Sequence, residues 1–193
     1  MSNKFSIVIP TFENTEYLET CINSILKNSN FSHQIIVHIN GNDLNTESVL
    51  LKKNITYTKT TKNVGLCSGV NIASKKVNTN YILYAHDDMY FLPNWDLILD
   101  DEVKNINHKN FYLSMTHISH MSGVKGDTQH IQFDCGSNIA EFDENKLLNN
   151  FKNFSFRNLQ GSHWAPHLIH IELWNKIGGF SEEFNPGFAS DPD

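Results

Sequence analysis

The stretch NYILYAHDDMYFLPNWD, residues 80–96, contains an apolar run, Tyr81-Ile82-Leu83-Tyr84-Ala85, that ends on His86-Asp87-Asp88. A short run of this kind, rich in branched and aromatic residues, reads as a buried strand. Two adjacent carboxylates at its end repel one another, and each is costly to take out of water. A positive partner is therefore expected beside them.

Working outward in both directions, strands and helices alternate. KFSIVIP reads as a buried strand stopped by Pro10. In NTEYLETCINSILKNS apolar residues recur at three- and four-residue spacing, which predicts a helix capped by Asn14 or Thr15. HQIIVHIN is a second strand ended by Gly41, Leu44 to Lys52 a short helix, and NITYTKT a third strand. GLCSGVNIASKKV is a third helix leading into the strand at Tyr81–Ala85. This rhythm predicts one α/β domain with a largely parallel, Rossmann-like sheet flanked by helices. Ligands of such sheets sit beyond the carboxyl ends of the strands. Three polar clusters fall there: Thr11–Asn14, Asn40–Asp43 and His86–Asp88.

The second half is less regular. Pro93-Asn94-Trp95 opens a helix to about Asn107, and NFYLSMTHI reads as one strand. Met121 to Gln132 is polar and reads as a loop or hairpin, Asn145 to Asn153 as a short helix. HWAPHLIHIELWNKIGGF is a strand and a helix stopped by Gly178-Gly179. Trp95 and Trp174 read as packing residues.

The 193 residues carry a net charge of −6, and Arg157 is the sole arginine. Without a basic tract, a nucleic-acid partner is not expected. An anionic ligand bridged by a metal is compatible with this balance. The three cysteines, Cys21, Cys67 and Cys135, form no C-x-x-C pair, which argues against a zinc ribbon and fits a reducing compartment. No apolar run reaches the ~18 residues of a membrane span, and the apolar part of the N-terminus is short for a signal peptide. The expected location is cytoplasmic, or peripheral at a membrane. The ten histidines form no convincing zinc pattern.

Three segments in order, FSIVIPTFENTEYLETCINSIL, KNVGLCSGVNIASKKVNTNYILYAHDDM and IGGFSEEFNPGFASDPD, resemble the family 2 glycosyltransferases of the GT-A fold. The resemblance spans nearly the whole chain. It implies a nucleotide-sugar donor, a hydroxyl acceptor on a glycan, lipid or other molecule, Mn²⁺ or Mg²⁺ at an Asp-x-Asp-type site, and inversion at the anomeric carbon. It implies a nucleotide-sugar-binding half over residues 1–107 and an acceptor half over 108–193. The helix that follows the last motif in relatives is missing, so the acceptor half is expected to be C-terminally short.

Residue by residue, the resemblance assigns Asp88 to the metal, with His86 at the first position of the motif, where relatives carry Asp. Asp87 is assigned to the ribose or a metal-bound water. Pro10, Thr11, Phe12, Glu13 and Asn14 match the loop that holds the nucleoside, with Phe12 near the base and Glu13 accepting from a base N–H. Asn40 stands where relatives often place an acid that reads the base. Asn63 and Gly65 match the loop approaching the diphosphate, and Asn71 is expected to be structural. Asp191 matches the acid that takes the acceptor's proton, although Ser190 replaces the preceding Glu. His163 and Trp164 are expected to border the acceptor, since aromatic faces stack on sugars.

Each assignment has a plainer alternative. An Asp pair often serves a turn or cap, Asn-Gly at 40–41 suits a turn, and the first loop can be an ordinary strand-to-helix connection. Two rival functions remain open at this stage: a non-catalytic nucleotide-sugar-binding module, and a nucleotidyltransferase. The second normally has a Gly-rich basic loop after the first strand, which PTFENTEY lacks.

Overall fold

A computed structural model describes residues 3–120, 130–155 and 165–187. Four strands, β1 (Ser6–Thr11), β2 (Gln34–Ile39), β3 (Thr56–Lys59) and β4 (Tyr81–Tyr84), run parallel. Three helices connect them: α1 (Thr15–Asn28), α2 (Leu44–Lys52) and α3 (Leu66–Ser74). α4 (Trp95–Ile106) then leads to β5 (Tyr112–Ser114), and β6 (His117–Ser119) pairs with β7 (His130–Gln132) in a separate small sheet. α5 (Glu144–Asn150) continues into a 3₁₀ turn, Phe151–Asn153. β8 (His167–His170) and α6 (Ile171–Ile177) follow. The main sheet has the order β3-β2-β1-β4-β8-β5, with β8 antiparallel to both of its neighbours. The expected single α/β domain with a largely parallel sheet is thus the observed architecture.

The continuous apolar runs follow from burial on both faces. Along β1, Ile7 and Ile9 join a core with Leu18, Ile22 and Ile25 of α1, while Val8 faces Val70 and Ala73 of α3. In β4, Leu83 and Ala85 face the first core, and Ile82 and Tyr84 the second. Trp95 and Trp174 pack in these cores and donate to the Ser29 and Ser74 hydroxyls at 3.0 and 3.2 Å.

Two expectations are corrected. Pro10 lies inside β1, opposite His38, rather than ending the strand. Val8 O, two residues earlier on the same side, accepts from Ala85 N, and the β1–β4 register stops at Val8–Tyr84. The N–H that Pro10 lacks therefore falls where the neighbouring strand has already ended. The segment 110–118 is two strands in two sheets, not one. β5 has a partner only as far as Ser114–His167, because β8 begins there, and Met115 N turns to Pro166 O.

At the opposite end of the sheet from the strand-end carboxylates, Asp96 is fully buried. It accepts from the backbone N–H groups of Asn30 and Phe31, both at 2.7 Å, and contacts His33 Nε2 at 3.2 Å. Burial alone would raise its pKa, but the hydrogen bonds from Phe31, Asn30 and His33 hold it below the ordinary carboxylate value. Asp96→Asn turns an amide donor toward these donors and should cost about 2–4 kcal/mol in urea unfolding at pH 7. A depressed folded pKa gives stability that is present above about pH 4 and lost as pH falls through the folded value. The gap between parent and variant should therefore narrow in acid. An unchanged midpoint at neutral pH would show the buried network to be energetically idle.

Candidate functional site

Because β1, β2 and β4 are parallel, Thr11, Asn40 and the His86–Asp88 turn reach the same edge of the sheet. Thr11 Oγ1 donates to Asp87 Oδ2 at 2.6 Å, and the Asn14 side chain also bonds this carboxylate. Burial raises the Asp87 pKa and the Asp88 charge adds to the rise, against the hydrogen bonds from Thr11 and Asn14. Asp88 is exposed. Among the described residues, no ion pair reaches either carboxylate, and Asp88 has no protein hydrogen-bond partner. Beneath the turn, Cys21 Sγ donates to His86 O at 3.6 Å, and its thiol is pushed far up by burial and by both carboxylates. His86 Nε2 is held at 2.7 Å by the Tyr84 hydroxyl.

The turn is anchored on its far side. Phe91 N donates to Ser24 Oγ at 2.9 Å, and Asn28 Nδ2 to Phe91 O at 2.6 Å. Tyr90 bonds Glu144 of α5, which Lys27 of α1 also pairs at 2.8 Å. Burial and that carboxylate raise the Tyr90 phenol to about 12.

Beside the carboxylates opens a cleft of ≈ 410 Å³, lined by Phe12, Glu13, Asn40, Asn42, Asp43, Leu44 and Asn45. The Phe12 ring lies over Gly41, where an added Cβ would sit 3.6 Å from Cε2. Asp43 caps α2, accepting from Asn45 N at 3.0 Å, Thr46 N at 3.1 Å and Thr46 Oγ1 at 2.7 Å. Burial would raise its pKa, but these bonds hold it low.

Asn40 is 4% exposed and its side chain turns away from the cleft: Oδ1 accepts from Val64 N at 3.2 Å and Nδ2 approaches Gly65 O at 3.4 Å. Its amide ties β2 to the loop of residues 63–65. The loop's other amides are engaged as well. Gly65 N bonds Asn63 Oδ1 at 2.9 Å, and Leu66 N bonds Pro186 O at 2.9 Å.

Sequence reasoning passed over Asn185 and Pro186. Asn185 Nδ2 donates to Ser68 Oγ at 2.8 Å, and its Oδ1 lies 2.3 Å from where a Cβ on Gly65 would be. Gly65 therefore serves this close approach, at φ +89. Asn71 closes the same contact, with Nδ2 on Phe180 O at 2.9 Å and Oδ1 accepting from Phe180 N at 3.0 Å. A signal was present: α3 has glycine at its N-cap and so needs a capping group from elsewhere. Asp191, His163 and Trp164 lie outside the described residues.

Among the described residues no three His, Cys, Asp or Glu side chains are grouped to hold a metal. The Asp87-Asp88 pair still fits a hard cation, which takes carboxylate oxygens and completes its shell with phosphate and water. An unpaired exposed carboxylate beside a half-buried one is a donor set of that kind. Such an ion would be shared with a ligand rather than enclosed by protein.

The sequence profile of glycosyl transferase family 2 matches residues 6–171. The chain belongs to this family. No curated protein is significantly similar in sequence. Among solved structures, S. aureus TarS 1-349 superposes with a TM-score of 0.66 at 16% identity, over 97% of this chain and 53% of that one. Its complex with UDP-GlcNAc gives 0.63 at 17%, over 92% and 48%. The mannosyltransferase PcManGT of Pyrobaculum calidifontis, in complex with GDP-Man and Mn²⁺, gives 0.61 at 13%, over 100% and 50%. At these identities the likeness shows the GT-A fold. The chain spans about half the length of these neighbours. Among the described residues of this family 2 chain, no helix is long and apolar enough to cross a membrane.

A raised folded pKa makes Asp87 a stabilising group only while it is protonated. That contribution is full below the ordinary value near 4 and is lost as pH rises through the folded value. Asp87→Asn should therefore raise the melting temperature at pH 7, with the Thr11 hydroxyl still facing an acceptor, and the gain should vanish near pH 3. A lower melting temperature at pH 7 would mean that the ionised carboxylate stabilises the fold.

Proposed function

We propose that the chain is an inverting, metal-dependent hexosyltransferase-type glycosyltransferase. It moves a sugar from a nucleotide-sugar donor to a hydroxyl of a glycan, lipid or other acceptor. The observation that carries this reading is the exposed Asp88 beside the half-buried Asp87 at the sheet edge, with no cationic side chain paired to either among the described residues.

Asp88 would hold Mn²⁺ or Mg²⁺, with His86 at the first position of the motif and Asp87 facing the ribose or a metal-bound water. The ion, when bound, offsets negative charge on the departing nucleoside diphosphate. Thr11 and Asn14 fix the orientation of Asp87. Phe12 and the cleft receive the nucleoside. Asn40 and Asn63 shape the 63–65 loop that faces the diphosphate.

Asp191 is the proposed base. Its carboxylate takes the acceptor hydroxyl's proton as that oxygen bonds the anomeric carbon, and the bond to the diphosphate oxygen breaks on the opposite face. His163 and Trp164 border the acceptor in this reading. Residues 1–107 form the donor half and 108–193 the acceptor half. The site works as a cytoplasmic enzyme or one peripheral at a membrane.

Asp88→Asn should leave the fold intact, abolish the metal-dependent part of donor binding, and slow transfer by about 100-fold or more. Titration calorimetry with nucleoside diphosphates and Mn²⁺, and nucleotide release assays with acceptor mixtures, measure the two effects. An unchanged Mn²⁺-dependent affinity would remove Asp88 from the metal site. Metal-dependent binding with no turnover in any longer natural form would make the chain a binding module.

A further inference from the structure

The cleft at Phe12 is lined by five polar residues, and the structure separates those already committed from those available. Asn40 is engaged with Val64 and Gly65, and Asp43 with the first turn of α2. Neither faces a ligand without breaking an internal bond. The side chains of Glu13, Asn42 and Asn45 have no protein hydrogen-bond partner among the described residues. Glu13 also sits at φ +52, a left-handed conformation that glycine and asparagine occupy more cheaply. A carboxylate kept at such a position, lining a cleft, marks a use beyond the turn. The Phe12 ring, backed by Gly41 and 47% exposed, offers its open face as a platform, and Leu44 is 65% exposed on the same cleft.

We infer that this cleft selects guanine nucleotides, with Glu13 as the residue that reads the base. The inference rests on the donor-site reading above. An ionised carboxylate only accepts, and it has two oxygens side by side. Guanine alone among the common bases presents two adjacent donors on one edge, its ring N1–H and its 2-amino group. Uracil presents one N–H between two carbonyl oxygens, so a second carboxylate oxygen meets an acceptor. Adenine and cytosine each place an amino group beside an acceptor ring nitrogen, with the same conflict. Asn42 and Asn45, as amides, can donate to the guanine O6. The flat base stacks on Phe12, a contact available to every base, so selectivity falls to the polar edge.

The test is a calorimetric titration of the full chain with GDP, inosine diphosphate, UDP and ADP in the presence of Mn²⁺. GDP should bind about tenfold or more tighter than UDP and ADP, the scale of one bidentate base contact. Inosine diphosphate, which lacks only the 2-amino group, should lose a similar factor. In Glu13→Gln the amide keeps one acceptor, so GDP should weaken to the level of inosine diphosphate while UDP and inosine diphosphate change little. UDP binding as tightly as GDP, or GDP affinity unchanged in Glu13→Gln, overturns the inference and leaves the donor site standing. Failure of all four nucleotides to bind overturns the donor site itself.

Discussion

Two neighbouring carboxylates at the end of a central strand, with no cationic side chain paired to them among the described residues, set the requirement that the rest of the molecule meets. The structure does not neutralise the pair. It divides the strain instead, half-burying Asp87 against Thr11 and Asn14 and leaving Asp88 to solvent. Two like charges are tolerable in this way only because one is hydrogen-bonded and the other hydrated. The arrangement is unfavourable in the free protein, and a bound cation would relieve it.

The fold makes that place by making the sheet dry on both faces. α1, α2 and α4 pack on one side and α3 and α6 on the other, and Thr11, Asn40 and the His86–Asp88 turn are left at the strand ends. The second half of the chain then returns to close the site's rear. β8 zips antiparallel to β4, and the segment ending at Gly187 docks on α3 through Asn71 and Asn185. Four asparagines, Asn40, Asn63, Asn71 and Asn185, bond backbone groups or a hydroxyl that loops leave unpaired. The loop of residues 63–65 is thus preorganised by side chains from β2 and from the C-terminal segment.

Much of this was legible in the sequence because its signals are local. Leu44 to Lys52 was bounded correctly, since Asp43 is an N-cap whose side chain bonds Asn45 and Thr46. The parallel sheet followed from the alternation of strands and helices along the first half of the chain. The misses were questions of partner strands, which a local pattern does not encode. Pro10 is tolerated in β1 because β4 has ended beside it, and residues 110–118 split because β8 starts at His167. The motif at Asn40 marked a residue of the site, but not that its amide is used within the protein. The capping role of Asn185, whose Oδ1 accepts from Ser68 N at 3.4 Å, depends on a contact between residues 117 positions apart. No spacing rule reaches that far.

The central claim is that the carboxylate pair awaits a cation shared with a diphosphate. Titration calorimetry with Mn²⁺ alone, a nucleoside diphosphate alone, and both together tests it most directly. With only two carboxylates and no third acid or thiolate grouped near them among the described residues, Mn²⁺ alone should bind weakly, and so should the nucleotide alone. Together each should raise the other's affinity by the same factor, as linkage requires. Tight stoichiometric Mn²⁺ binding without nucleotide, or nucleotide affinity indifferent to the metal, would contradict the account.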